Sequence, residues 1–264
     1  MKDITVGQYI PGDNLLYLLD PRVKIGITLL FTLALLSTKG LLSYAVVSCW
    51  LAGALFSSGL RLGFIFRGLK GFLGLICMTA LFSAVFTPGI PYIQWGWISV
   101  SREGLGLAGE FVVRFMLLIA GTSLLTYTTS PLSLLYGLGF LLRPFRRLGV
   151  PAHELAMMMS IALRFVPIMT EEAGKIMNAQ RARGADFTGG NLLQQGRAFL
   201  PLIVPLFLSA WRRAEELSIA MDARCYHGGE GRTEWRKFRL TGMDIGVLTG
   251  AMVLTGLVLG ARLV

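Results

Sequence analysis

Charge is scarce in this chain. Only 15% of its 264 residues are Asp, Glu, Lys or Arg, while 54% are hydrophobic and the mean hydropathy is +0.63. About a quarter of an ordinary soluble domain is charged, so a water-soluble globule is excluded and a membrane protein is expected. Acidic residues are the rarer sign, 15 against 25 Lys and Arg, which leaves a net charge of +10. In so apolar a chain that excess matches the basic cytoplasmic loops of a membrane protein, and no nucleic-acid partner is expected.

Other absences narrow the chemistry. The three cysteines, Cys49, Cys77 and Cys225, have neither disulfide nor metal-ligand spacing, and the first two lie in apolar runs where cysteine behaves as a small hydrophobe. Only two histidines exist, His153 and His227, in no HExxH or Cys/His arrangement, and no GxSxG elbow occurs. No catalytic residue, metal or cofactor is therefore expected. A GxxxxGK[ST] loop is also missing, so the chain has no P-loop with which to cradle ATP phosphates. The segment Met1–Pro21 carries Asp3, Asp13 and Asp20 without a basic stretch leading into an apolar one. It does not read as a cleaved signal peptide.

Apolar runs are present at Ile25–Leu36, Leu41–Phe56, Phe72–Phe86, Leu105–Tyr127 and Met243–Ala261, and they read as five membrane spans. The first two are the weakest, since Ile25–Thr38 rises only ~21 Å as a helix where a hydrocarbon core needs ~30 Å. Pro88–Ser101, with Pro88, Gly89, Pro91, Trp95 and Trp97, reads as an interfacial loop. Of the 25 basic residues, 21 fall in residues 1–24, 58–70 and 128–239, against Lys39, Arg102 and Arg262 on the opposite side, with Arg114 inside a span. The positive-inside rule then places the N-terminus and 128–239 in the cytoplasm of a multi-pass protein of the inner or plasma membrane.

Residues 128–239 carry helical patterns with clear stops. Ser130-Pro131 offers an N-cap and an N1 proline for a helix ending near Arg143-Pro144. A second helix starts after Pro151 and runs, kinked at Pro167, to about Arg183, where Gly184 can supply a left-handed cap. A third occupies roughly Leu192–Arg224, interrupted by Pro201 and Pro205. Along it Phe207, Ala210, Ala214, Leu217 and Met221 recur at steps of three and four, forming one apolar face. Such helices are expected along the membrane surface or against partner proteins. The expected organisation is a membrane region over 1–127, a cytoplasmic coupling domain over 128–239 and a last span over 240–264, all of it all-α.

A shift of 41 residues superimposes Ala179-Gln180-Arg181-Ala182-Arg183-Gly184 on Ala220-Met221-Asp222-Ala223-Arg224-Cys225. Each is an amphipathic helix end with one Arg between two small residues. Small neighbours let a helix end seat deeply while the guanidinium forks into carboxylates or carbonyls. The plainer alternative is a pair of cationic last turns complementing their own helix dipoles, worth about 0.3–1 kcal/mol each. The duplication favours docking into two similar clefts. Arg143, Arg146 and Arg147 cluster beside Pro144 without that small-residue frame and are expected to face headgroups or solvent.

Ala182-Arg183-Gly184 and Ala223-Arg224-Cys225 resemble the paired coupling motifs of the transmembrane T component of energy-coupling factor (ECF) transporters. The opening Pro11-Gly12-Asp13, with Leu19-Asp20-Pro21-Arg22-Val23-Lys24, is similar to that family's N-terminal signature. Thr128-Thr129-Ser130-Pro131, Leu163-Arg164-Phe165-Val166-Pro167 and Ala179 through Gly184 follow its central blocks in order. Asn14, Tyr17 and Cys225 depart from it, the last removing the usual glycine cap of the second motif. The resemblance implies two ABC-type ATPase subunits docked on Arg183 and Arg224. It also implies a small substrate-binding membrane protein, the S component, and uptake of a vitamin or other micronutrient. Asp20, Pro21 and Arg22 are carried over as signature residues, Arg164 and Pro167 as the bend of a coupling helix.

Two rivals stand against this. An ordinary ABC-importer permease would carry a single coupling loop, faintly echoed by Glu171-Glu172-Ala173, and a membrane enzyme would need a convergent acid, base or nucleophile set that is lacking. Glu110 and Arg114 read as an i,i+4 pair at a helix edge. Gly242, Gly246 and Gly250 read as close packing within the subunit, with an S-component surface as the sharper alternative. Met157-Met158-Met159, Met169 and Met177 read as core.

Overall fold

The computed structural model describes residues 9–12, 14–95, 98–142, 144, 149, 151–185, 187, 189, 192–228 and 240–263. Asp3, Asp13, Trp97, Arg143, Arg146 and Arg147 lie outside them. In chain order the elements are α1 (Leu15–Leu18), α2 (Pro21–Ser37), α3 (Gly40–Ser58), α4 (Leu62–Lys70), α5 (Leu73–Phe86), β1 (Pro91–Trp95), β2 (Ile98–Ser101), α6 (Arg102–Thr128), α7 (Pro131–Leu142), α8 (Ala152–Ala182), α9 (Leu192–Asp222) and α10 (Gly242–Leu263). The all-α architecture expected for a membrane protein is present. One short antiparallel hairpin, β1 paired with β2, replaces the anticipated interfacial loop.

Local chemistry sets the helix ends. Asp20 caps α2 by accepting the Arg22 N–H at 2.9 Å, and Pro21 fills the first helical position, where no N–H is needed. Ser101 caps α6 through the Gly104 N–H at 3.0 Å, with Glu103 in the first turn. Ser130 accepts from the Ser133 N–H at 3.3 Å, opening α7 at the anticipated Ser-Pro pair. α3 stops at Gly59, which takes a left-handed φ of 63°.

The chain forms two compact units. One comprises Gly7–Gly137 with Phe238–Val264, the other Leu138–Lys237. The core of the first draws Phe31, Ala34 and Leu35 from α2, Tyr44, Val47 and Leu51 from α3, Ile65 from α4, Ala120 from α6 and Val258 from α10. Phe31 stands edge-on to Trp50 at 5.5 Å and leans on Gly121, where a Cβ would lie 2.4 Å from its ring. A bare backbone on α6 is what admits the ring. Outside this core, large apolar side chains are widely exposed, Phe56 at 93% and Leu41 at 90% among them. Water would penalise that surface heavily, whereas acyl chains do not.

By length and composition α3, α6, α8 and α10 can each cross a bilayer, and α4 with α5, bent by 63°, can form a fifth span. Two expectations shift. α2 starts earlier than its apolar run but, at 17 residues, falls below spanning length by that measure, reaching ~26 Å. α8 reaches spanning length and apolarity although the helices of 128–239 were expected along the membrane surface or against partner proteins. Its Met-rich first half and its second half are one helix because Pro167 does not break it. α9 likewise passes through Pro201 and Pro205.

Candidate functional site

The second unit is dominated by α8 and α9, which pack on each other and leave a groove of about 530 Å³. Phe165 and Met169 line it from α8, and Ala210, Ala214, Leu217 and Met221 from α9. The α9 residues are the apolar row seen in the sequence, apart from Phe207, which is 62% exposed. Of the methionines expected in a core, Met158 is 52% and Met159 41% exposed. That face is therefore open.

The ends of the two helices are built alike. At the end of α8, Gly184 N–H donates to the Arg181 carbonyl at 3.0 Å and Ala185 N–H to the Gln180 carbonyl at 3.0 Å. At the end of α9, Cys225 N–H donates to the Asp222 carbonyl at 2.9 Å and Tyr226 N–H to the Met221 carbonyl at 3.1 Å. These are the same two hydrogen bonds, shifted by 41 residues, of a helix closed by one left-handed residue. Gly184 holds that residue's place with φ 87° and Cys225 with φ 54°. The expectation that Cys225 forfeits the cap is thus corrected. The cap is kept, at a cost of about 1–2 kcal/mol for a side chain in left-handed backbone. Among the described residues Cys225 is the one non-glycine with positive φ.

Closing both helices the same way puts Arg183 and Arg224 at equivalent positions, each just before the left-handed residue and just after an alanine, Ala182 or Ala223. All four are exposed. Neither guanidinium has a side-chain hydrogen bond or ion pair among the described residues. Arg181, by contrast, lies over the Phe187 ring at 6.0 Å. A Cβ on Gly228 would lie 3.8 Å from Glu154 Oε1, so the end of α9 sits beside the start of α8. The 31 residues of α8 rise roughly 46 Å. The two arginines therefore stand near opposite ends of α8. Arg164 and Pro167 lie mid-helix on α8, both exposed.

Asp20, Pro21 and Arg22 sit in the first unit, at the start of α2. Their surroundings contain Asp244, which the sequence did not single out. The Asp20 N–H donates to Asp244 Oδ1 at 2.9 Å, and Lys24 Nζ donates to the Thr128 carbonyl at 3.1 Å. A lone Asp in an apolar run was the available signal for Asp244. Arg114 does not take Glu110 as its partner. It donates to the Thr38 carbonyl at 3.0 Å, where it meets the negative end of α2. Close packing at Gly242, Gly246 and Gly250 is also corrected, for a Cβ at any of them would meet nothing within 4 Å among the described residues.

The family described as "Cobalt transport protein" (CbiQ) matches residues 12–235. Three curated relatives carry the name "Energy-coupling factor transporter transmembrane protein EcfT". That of Thermosediminibacter oceani is 46% identical over 257 residues, covering 97% of this chain and 96% of the relative. That of Clostridium kluyveri is 45% identical over 256 residues, covering 96% and 95%. That of Bacillus subtilis is 42% identical over 264 residues, covering 99% of each.

Proposed function

The chain belongs to the family of energy-coupling factor transporter transmembrane proteins, and from that premise we propose that it couples two separate ATPase subunits to a substrate-binding S component during vitamin or micronutrient uptake. It is a multi-pass, non-catalytic transporter subunit. In this proposal the N-terminus and 128–239 face the cytoplasm, and α8 lies against the membrane surface and its partners rather than across the bilayer. Ala182, Arg183 and Gly184 seat in a cleft of one ATPase, and Ala223, Arg224 and Cys225 in the matching cleft of the other. Arg164 and Pro167 mark the bend of the α8 coupling helix. The observation that carries the proposal is the likeness of the two helix ends, each presenting in the same frame an exposed arginine with no side-chain partner among the described residues.

Dipole decoration explains one cationic helix end, but it requires neither the strained cap at Cys225 nor the repeated alanine. An ordinary importer permease with one coupling loop at Glu171-Glu172-Ala173 leaves the second end without a purpose. Stoichiometry separates the two. Native mass spectrometry of the detergent-purified complex, expressed with the ATPase and S-component genes of the same genome, is expected to show one copy of this chain with two ATPases and one S component. Two copies of this chain against two ATPases would assign it to the permease class.

A further inference from the structure

Among the described residues the buried charged side chains are Asp20, Lys24 and Asp244, at 4%, 5% and 1% exposure, and they gather at the start of α2. Their bonds run to two particular stretches of backbone. Lys24 Nζ holds the carbonyls of Thr128 at 3.1 Å and Tyr17 at 3.4 Å. Asp244 receives the Asp20 N–H on Oδ1, and on Oδ2 the Thr241 N–H at 2.8 Å and hydroxyl at 2.5 Å. Thr128 ends α6 and opens the stretch, through α7, by which the chain leaves this unit after Gly137. Thr241 and Asp244 are where it returns.

The outgoing stretch is gripped again nine residues on. A Cβ on Gly137 would lie 2.9 Å from Ile25 Cδ1, 3.3 Å from the Pro21 carbonyl carbon and 3.4 Å from the Arg22 nitrogen, so α7 touches backbone at the first turn of α2. Arg22 also stands over the Tyr136 ring at 5.4 Å. One six-residue segment, 20–25, thus fastens both chain connections to the unit that contains α8 and α9.

Cohesion alone does not call for charge there, because apolar side chains of similar volume hold buried elements together as well or better. What charged hydrogen bonds in a low-dielectric setting add is fixed distance and direction. We infer that residues 20–25 with Asp244 form a joint that holds both connections in register, so that displacement of the coupling helices reaches α2, α6 and α10 instead of being lost in slack chain. This rests on the coupling function proposed above. Asp20, Lys24, Gly137 and Asp244 are positioning residues in it, each acting through the backbone it holds or packs against.

The test uses the assembled complex in vesicles, with an S component of the same genome selected for retention of tritiated riboflavin, which then serves as the probe. Asp244→Asn keeps shape and removes the charge. Gly137→Ala leaves the charges and crowds only the outgoing connection, so it remains readable where the first variant accumulates poorly. Both are expected to retain the ATPases and hydrolyse ATP within about twofold of wild type. Uptake per assembled complex is expected to fall about tenfold, the effect of roughly 1.4 kcal/mol lost at one buried polar contact. A merely structural role lowers the amount of complex and leaves uptake per complex at the wild-type value. That result overturns the joint while leaving ATPase docking intact. Failure of the wild-type chain to retain ATPases would instead remove the coupling function and the joint with it.

Discussion

Replacing Arg183 and Arg224 together by alanine is expected to strip the chain of both ATPase subunits while leaving its amount in the membrane unchanged. Each guanidinium is exposed and has no side-chain partner among the described residues, so its removal costs the fold little. In a desolvated cleft the same group makes charge-assisted hydrogen bonds whose loss costs about 2–5 kcal/mol per site, a factor of roughly 30 or more in affinity. If each arginine were only solvated, the loss would stay well below about 1 kcal/mol. Single variants are expected to weaken retention of one ATPase and to uncouple hydrolysis from uptake. Lys175 and Arg212, exposed on the same helices but without the alanine and left-handed frame, serve as controls and should assemble normally. Pull-down of the ATPases by each variant, alongside ATP-dependent uptake, reads the difference. Wild-type retention by the double variant would refute the docking assignment.

The second large effect is all-or-none. With Cys49, Cys77 and Cys225 replaced by serine, a cysteine placed at Thr233, within 128–239, is expected to react with a membrane-impermeant maleimide only after cells are permeabilised. A cysteine placed at Ser99, in the hairpin between α5 and α6, is expected to react in intact cells. Both follow from the charge asymmetry, because carrying the Lys and Arg of 128–239 across an energised membrane is opposed by the positive-inside bias. If α2 counts as a span, the four crossings made by α2, α3, the α4–α5 pair and α6 also bring the chain back at 128 to the side it started from. The reverse pattern at the two positions would put the arginine ends outside, where no ATPase is available.

Composition made the membrane class legible, and Pro and Gly punctuation made most helix boundaries so. α7, α8 and α9 begin at or within a residue of the positions expected from Ser130-Pro131, Pro151 and Leu192. What failed was local signal overridden by context. Pro201 and Pro205 looked like interruptions, yet α9 continues through both as α8 does through Pro167, since losing one backbone hydrogen bond is a local cost of about 3 kcal/mol that the rest of a 31-residue helix can bear. Arg183 and Arg224 were visible through their repeat. The likeness of their caps was not, because a cysteine in left-handed backbone cannot be foreseen from residue type. The joint at α2 was half visible. Asp20 and Lys24 stood in a recognisable signature, but their partners Thr128 and Asp244 lie 104 and 224 residues away, beyond any local pattern.

Site-specific photo-crosslinking tests the central claim most directly. Ala179 and Ala220 occupy equivalent exposed positions one turn before Arg183 and Arg224. A benzophenone side chain at either is expected to join this chain to an ATPase subunit in the native membrane, with position 179 and position 220 capturing different ATPase copies of one complex. Crosslinks to lipid alone, or to an ATPase from only one of the two positions, would contradict a subunit that grips two ATPases through two matching helix ends.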